Sequence, residues 1–405
     1  MAEILNNHLS RRRALKILSS TTFAGALPLM AQSKSASSCN TALAAQKLPD
    51  VARAPRPGKE VRAIWIHPEQ HISVSEKEGK AQIKVMVERF ARANFNLLLP
   101  WTVSGYLAAL DHEEYRKDHP TAAWDYLGIL IDEASSAGLD VDLWYSFTDY
   151  RDPHSPEFNA ALGGSRDWMA KRLDEVMPNQ TLMKLESGRQ DNVCPQHYQA
   201  RAWMQAQLER TFTRYPRLHG FHIEEPGYGT KGYCLCELCQ SVFEQLHGKK
   251  LTQNLDTQIA EDFRTLGNSA FIAEIREQLA QRHPNMVLSA NGGFDWRHDR
   301  IRGRDWGRWA NSGWLRYFVP QVYVSNVTEF RDQLALTLDD IGRSCPVYAG
   351  MALDSSSGKI TIDQIVLQIE AARDLGAPGV ALFHGAAFTD EHLQVLKNGP
   401  FKKPA

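Results

Sequence analysis

The chain has 405 residues, 43% of them hydrophobic and 23% charged, ordinary proportions for a globular protein long enough to bury one large core or two smaller ones. Its 46 Lys and Arg nearly balance 47 Asp and Glu, leaving a net charge of −1, which argues against nucleic-acid or anionic-membrane partners. Ten tryptophans and 12 tyrosines offer aromatic faces that suit cores and, equally, the apolar faces of sugars.

The first element is an address. "SRRRALKIL" (Ser10 to Leu18) leads into "ILSSTTFAGALPLMA", a basic region, a modest apolar run and a small-residue end. Residues 1–38 thus resemble a twin-arginine export signal, with Ala14 where that pattern prefers Phe. The apolar run is too short and too rich in Ser and Thr for a membrane span. The expectation is export from a bacterial cytoplasm to the periplasm or beyond. Cys39 ends "SASSC", a poor lipoprotein box because Ala36 replaces a large aliphatic residue and Lys34 interrupts the run; a lipid anchor there is disfavoured. Residues 39–60 lack apolar periodicity and contain "PRPG", the mark of a flexible linker.

From Val61 onward, eight short apolar runs alternate with helical patterns. The runs are "VRAIWIHP" (61–68), "NFNLLLPW" (94–101), "DVDLWYSF" (140–147), "LHGFHIEEP" (218–226), "NMVLSANGG" (285–293), "YFVPQVYV" (317–324), "CPVYAGMAL" (345–353) and "GVALFHGAA" (379–387). Several are apolar at nearly every position, as strands covered on both faces should be. Segments such as "KAQIKVMVERFARA" and "TIDQIVLQIEAARDLG" carry helical spacing, and Gly138 and Gly376 end two of them. Eight β-then-α units predict an α/β fold, a (β/α)8 TIM barrel over residues 61–395. A doubly wound open sheet is the alternative, but no Gly-rich phosphate loop follows the first run. In a barrel, functional groups gather beyond the C-terminal strand ends. Those positions hold His67, Glu69, Trp101, Asp149, Glu224, Glu225, Asn291, Asp295, Gln321, Tyr323, Asp354 and His384, a set suited to a polyhydroxylated ligand.

The fourth run ends in the pair Glu224–Glu225, with Pro226 holding Glu225 out of helical geometry. Adjacent carboxylates resist joint ionisation, so one pKa should rise. A raised carboxyl is what protonates a glycosidic oxygen. Close behind lies "CLCELC", with Cys234, Cys236 and Cys239, and Cys194 stands upstream. Four thiolates can close a structural zinc site; a disulfide from Cys194 and free thiols are the alternatives. Cys345 opens a predicted buried strand and reads as a small core residue.

"GFHIEEPGYGTKGYCLCELC" resembles the strand-4 region of family-42 β-galactosidases, where an acid/base glutamate precedes a C-x-C-x-x-C zinc cluster. "RAIWIHP", "DYLGILIDEASSAGLDVDLWYSF", "YFVPQVYV" and "GVALFHGAA" resemble glycosyl-hydrolase-like family 10, a group of secreted barrel proteins. The sequence departs from that group at Ala134-Ser135, where an Ala-His pair is usual, and in having a Glu pair where Asp is usual. The resemblance implies an O-glycosidase acting on a cell-wall or environmental polysaccharide, with Glu225 as general acid/base and Glu224 or Asp354 as second carboxylate. A strand-7 glutamate nucleophile, as family 42 has, does not carry over, since only Asp354 stands there. Retaining and inverting routes both stay open. Trp101 and Trp144 would stack on sugar rings, and Asp149, Asn291, Gln321, Tyr323 and His384 would hold hydroxyls. The cysteine cluster would brace the loop that positions the acid. Two other functions remain: a non-catalytic carbohydrate-binding protein on this scaffold, and a metal-dependent hydrolase using His67, His222 or His384, against which stands the lack of HxH or HExxH spacing.

Overall fold

The structure, a computed structural model, describes residues 59–103, 106–116, 120–146, 166–171, 193–228 and 234–404. Residues 1–38, where an export signal is expected, Cys39 and most of the expected linker fall outside them, as does Asp149.

All eight predicted runs form strands: β1 (Val61–Ile66), β2 (Leu97–Val103), β3 (Asp140–Ser146), β4 (Gly220–Ile223), β5 (Val287–Gly292), β6 (Tyr317–Pro320), β7 (Tyr348–Ala352) and β8 (Gly379–Phe383). Neighbours pair in parallel from β6 back through β1 to β8 and β7. Parallel bridges Phe318–Val347 and Gln321–Gly350 join β6 to β7 and close the ring. The fold is the (β/α)8 barrel that the alternation predicts. The principal helices are α1 (Glu76–Arg92), α2 (Tyr126–Ser136), α3 (Tyr198–Arg214), α4 (Glu237–His247), α5 (Gln258–Arg282), α6 (Val327–Ile341), α7 (Ile362–Asp374) and α8 (Asp390–Asn398). Gly138 and Gly376 follow α2 and α7 with φ of 77° and 83°, left-handed conformations that glycine adopts without a Cβ clash.

Strand parity divides the core. Ala63, Trp65, Leu97, Leu99, Trp144, Val287, Tyr317, Val319, Tyr348 and Ala381 fill the barrel interior, while Ile64, Leu98, Leu143, Phe221, Leu288, Phe318 and Leu382 meet the helices. The period of two makes the assignment strict. Inward residues of β4 are therefore Gly220 and His222, and the next on that parity is Glu224.

The connections on either side of β5 depart from a simple repeat. Between β4 and β5 the chain makes both α4 and the long α5, and a second, smaller core forms there around Cys194, Cys234, Cys236, Cys239, Tyr228, Phe243 and Phe263. Between β5 and β6 there are only short helices, Trp296–Asp299 and Trp306–Asn311, with a 3-10 turn at Arg300–Arg302. The sequence there, "GGFDWRHDRIRGRDWG", is broken by glycine and aspartate, which oppose a long helix. At the other end of the barrel Glu60 receives Arg62 and Arg373 at 2.7 Å each, and the Arg62 guanidinium lies 4.6 Å from the ring centre of Phe401. Among the described residues no helix is long and apolar enough to cross a membrane.

Candidate active site

β4 delivers Glu224 to the barrel mouth and then stops. Glu225 takes φ of +33°, unusual for a residue with a side chain, and Pro226 follows. The turn throws the two adjacent carboxylates into different surroundings. Asn291, at the end of β5, spans them: its Nδ2 donates to Glu224 Oε2 at 2.7 Å, while its Oδ1 accepts the Glu225 backbone N–H at 2.8 Å. One buried amide thus fixes a carboxylate and the backbone beside it. Trp144 Nε1, inside the barrel from β3, also donates to Glu224 Oε2.

Glu225 is claimed by a cation. Arg304, 5% exposed, donates Nη2 to Glu225 Oε2 at 2.8 Å. Behind it stands Asp299, whose Oδ1 is 3.9 Å from Arg304 Nη1 and whose Oδ2 accepts Gly293 N at 2.8 Å and Trp306 Nε1 at 2.9 Å. Glu224 has no such partner. Burial, and then the charge of Glu225, push its carboxyl up to about 7, against the pull of Asn291, Trp144 and Arg304. One of the paired carboxyls is raised, as adjacency predicts, and it is the first of the two.

Around them lies an aromatic floor. Trp101 and Trp144 meet edge to face at 4.5 Å between ring centres, and His67 approaches Trp144 at 5.0 Å. Trp144 is 4% exposed, so it packs within this floor and donates to Glu224; Trp101 is only half-buried. Tyr323, beyond β6, stacks on Phe383 at 5.7 Å. Among the described residues its hydroxyl is buried with no hydrogen-bond partner, and burial followed by the charges of Glu224 and Glu225 raises it far above the usual phenol range. His384 presents a buried Nδ1, unpartnered among the described residues, at the end of β8, 5.7 Å from His67 between ring centres. Burial and then His67 lower its pKa, favouring neutral imidazole. Gln321 sits at the β6–β7 closure, its backbone N–H on Gly292 O at 2.8 Å. Asp354 lies in a small hairpin after β7, paired with Lys359 at 2.9 Å. The structure therefore brings Glu224, Glu225, Asn291, Trp144, Trp101, Tyr323 and His384 to one mouth, with Asp354 on its strand-7 rim.

His222 sits inside the barrel, fully buried, with Nδ1 2.9 Å from Ser289 Oγ, and burial lowers it to about 3. Among the described residues, the one group of three or more His, Cys, Asp or Glu side chains placed to hold a metal is Cys194, Cys234, Cys236 and Cys239, whose sulfurs all lie within 4.8 Å of one another. Cys194 Sγ is 3.4 Å from Cys239 Sγ and 3.8 Å from Cys236 Sγ. These are beyond the ~2.05 Å of a disulfide and near the ~3.8 Å edge of a tetrahedron with Zn–S of about 2.3 Å. The four are free thiols in a buried nest, and their chemistry fits a metal such as zinc. Cys345 is buried separately, donating to Leu315 O at 3.7 Å.

Sequence reasoning missed Arg304 and Asp299. Both lie in a connection with no sustained period, and the only trace of them is the density of charge in "RHDRIRGRD".

Residues 60–356 match the family described as glycosyl hydrolase-like 10. The chain belongs to that family. Membership supports a carbohydrate-active role. No curated protein matches this glycosyl hydrolase-like 10 chain. Among solved structures it is similar to the PgaB (BpsB) glycoside hydrolase domain from Bordetella bronchiseptica, at 11% identity and a TM-score of 0.61, over 84% of this chain and 98% of that one. It is also similar to alpha-L-fucosidase isoenzyme 2 from Paenibacillus thiaminolyticus, at 15% identity and a TM-score of 0.50, over 83% of this chain and 48% of that one. At these identities the likeness shows the shared barrel.

Proposed function

We propose that the protein is an exported O-glycosidase that cuts a cell-wall or environmental polysaccharide, with Glu224 as the general acid. The observation that carries this reading is a carboxyl at the barrel mouth raised to about 7 beside a carboxylate held by arginine. A group with that pKa is substantially protonated at neutral pH and can deliver its proton to a leaving-group oxygen, then recover one from water. The acid role thus moves from Glu225, expected from sequence, to its neighbour. Glu225, paired with Arg304, stabilises positive charge developing on the sugar; Asp354 is the other candidate for that work. Trp101, with an exposed edge, offers a stacking surface, and Tyr323 and His384 offer unpartnered polar atoms to sugar hydroxyls. Asn291 acts on the glutamates rather than on substrate. Asp149 and Gln321 remain candidates for hydroxyl contacts.

In this reading the four cysteines hold a structural zinc ion. Closed by four thiolates, it supplies no open position for chemistry; its part is to hold the loop that follows Glu225. Metal content per purified chain, by mass spectrometry of the ion, checks it.

A second reading, carbohydrate binding without hydrolysis, draws on the engagement of Glu225 by Arg304 and of Asp354 by Lys359. The mature protein, incubated with bacterial cell-wall glycans and plant oligosaccharides beside Glu224→Gln and Glu225→Gln, separates the two. Glycosidase action predicts cleavage of at least one substrate and loss of about 100-fold or more in Glu224→Gln, with binding kept. Binding to a glycan with no cleavage at any pH would overturn it.

A further inference from the structure

Adjacent carboxyls in one mouth pose a problem that adjacency alone does not solve: which of them keeps the proton. By sequence the two are equivalent. In the fold they are not, and the difference runs through Arg304. Burying a guanidinium is costly unless carboxylates meet it, and here Glu225 lies against one terminal nitrogen and Asp299 beyond the other. Among the described residues its Nε is buried without a partner, so the side chain gives up part of its hydrogen-bonding capacity in order to reach Glu225.

The backbone is shaped around this contact. A Cβ at Gly227 would fall 2.5 Å from Arg304 Cγ and 2.6 Å from the Arg302 carbonyl, so only glycine lets the strand-4 loop lie against the arginine. Tyr228 N then donates to Arg302 O at 2.7 Å, tying that loop to the segment bearing Arg304. Asn291 takes the Glu225 N–H in its left-handed conformation. Each of these contacts holds Glu225 toward the cation and leaves Glu224 with neutral donors only. An opposite charge at hydrogen-bond distance favours the ionised form far more than one further away.

We propose that Arg304 is a positioning residue that assigns the proton of the strand-4 pair to Glu224 by pinning Glu225 as the anion. The inference rests on the reading of Glu224 as the acid and goes beyond it, by naming what decides between the two glutamates. Among the described residues, the titratable or charged groups facing the pair are Arg304, with Asp299 behind it, and Tyr323. With Glu225 and Asp299 ionised, the trio carries one net negative charge. Replacing Arg304 by a neutral side chain makes that two; replacing Asp299 by asparagine makes it zero. Asparagine can still accept from Gly293 and Trp306 through its one oxygen, so the second change leaves the local hydrogen bonds in place.

The test is a carboxyl titration by difference infrared spectroscopy on the full chain labelled with 13C-glutamate, Glu224→Gln identifying the band. Arg304→Met should move the last protonation of the pair up by about one pH unit, tenfold in proton affinity. Arg304→Lys should return it most of the way, and Asp299→Asn should move it down. If a hydrolysed substrate is found, the alkaline limb of kcat should follow the same order. A merely structural arginine would lower rate or stability in all three variants and leave the titration where it was, and that outcome overturns the proposal. Should Arg304→Met fail to fold, the opposite signs of Arg304→Lys against Asp299→Asn still decide it. The spectrum needs no substrate, so absence of glycoside hydrolysis would overturn the functional reading without touching this one.

Discussion

The barrel has a buried carboxylate at each end, and the two are treated in opposite ways. At the N-terminal floor Asp142, fully buried, lies 2.6 Å from His219 Nδ1 and receives the Tyr317 hydroxyl at 2.6 Å. Both oxygens are used, and Gly220 across the strand pair leaves room for the carboxylate, since a Cβ there would lie 2.5 Å from it. At the mouth, Glu224 adjoins a second carboxylate, a phenol with no partner and an arginine with an unpartnered nitrogen. The floor is a completed polar network, whose satisfaction makes it rigid. Among the described residues the mouth leaves Tyr323 Oη, His384 Nδ1 and Arg304 Nε unmatched, and deeper inside the barrel Trp65 Nε1 and His222 Nε2 are unmatched too. The difference teaches how one barrel satisfies a buried carboxyl fully at one end and sets another beside free polar atoms at the other.

That contrast can be broken or sharpened by substitution. The largest effect is expected at the floor. Asp142→Ala strands His219 and Tyr317 and should cost about 3–5 kcal/mol, read by urea unfolding, while activity per folded molecule stays unchanged. A rate loss with intact stability would mean the floor takes part in chemistry.

At the mouth the sign reverses. A carboxyl with a raised folded pKa contributes its stability fully below its unfolded value, near 4.5, and loses it as pH rises through about 7. Wild type should therefore weaken between pH 4 and 8 by up to on the order of 3 kcal/mol relative to Glu224→Gln. Parallel stability curves for the two proteins would show that Glu224 carries no such burden.

The smallest change in stability belongs to Tyr323→Phe. Removing this buried hydroxyl should alter unfolding by less than about 1 kcal/mol, with stabilisation as acceptable an outcome as loss, and on the glycosidase reading it should slow hydrolysis. A clear destabilisation would reveal a partner for the hydroxyl in the folded protein.

Much of the fold was legible. Seven of the eight strands lie within their runs and β2 passes the end of its run by two residues, to Val103, while Gly138 and Gly376 ended their helices for steric reasons that hold in any context. The β5–β6 connection was not legible as short helices, because its charged residues answer to distant partners rather than to a local period. The site was legible in part. Glu224, Glu225, Asn291, Tyr323 and the four cysteines stand out as residue types at strand ends or at metal spacing. Parity could have gone further: with Phe221 packed outward among the helices, His222 and Glu224 must point in, so β4 itself favours Glu224 over Glu225 as the inward carboxyl.

By itself, then, the sequence determined the order of strands and helices, the set of residues at the strand ends and the four thiols at metal spacing. All of these follow from short-range sterics and from a period of two or 3.6 residues. Only the tertiary structure decided that Glu225 meets Arg304 while Glu224 meets Trp144 and Asn291. The proton's place depends on electrostatics at about 3 Å, and that separation is set by chain segments far apart in sequence, whose meeting no local pattern encodes.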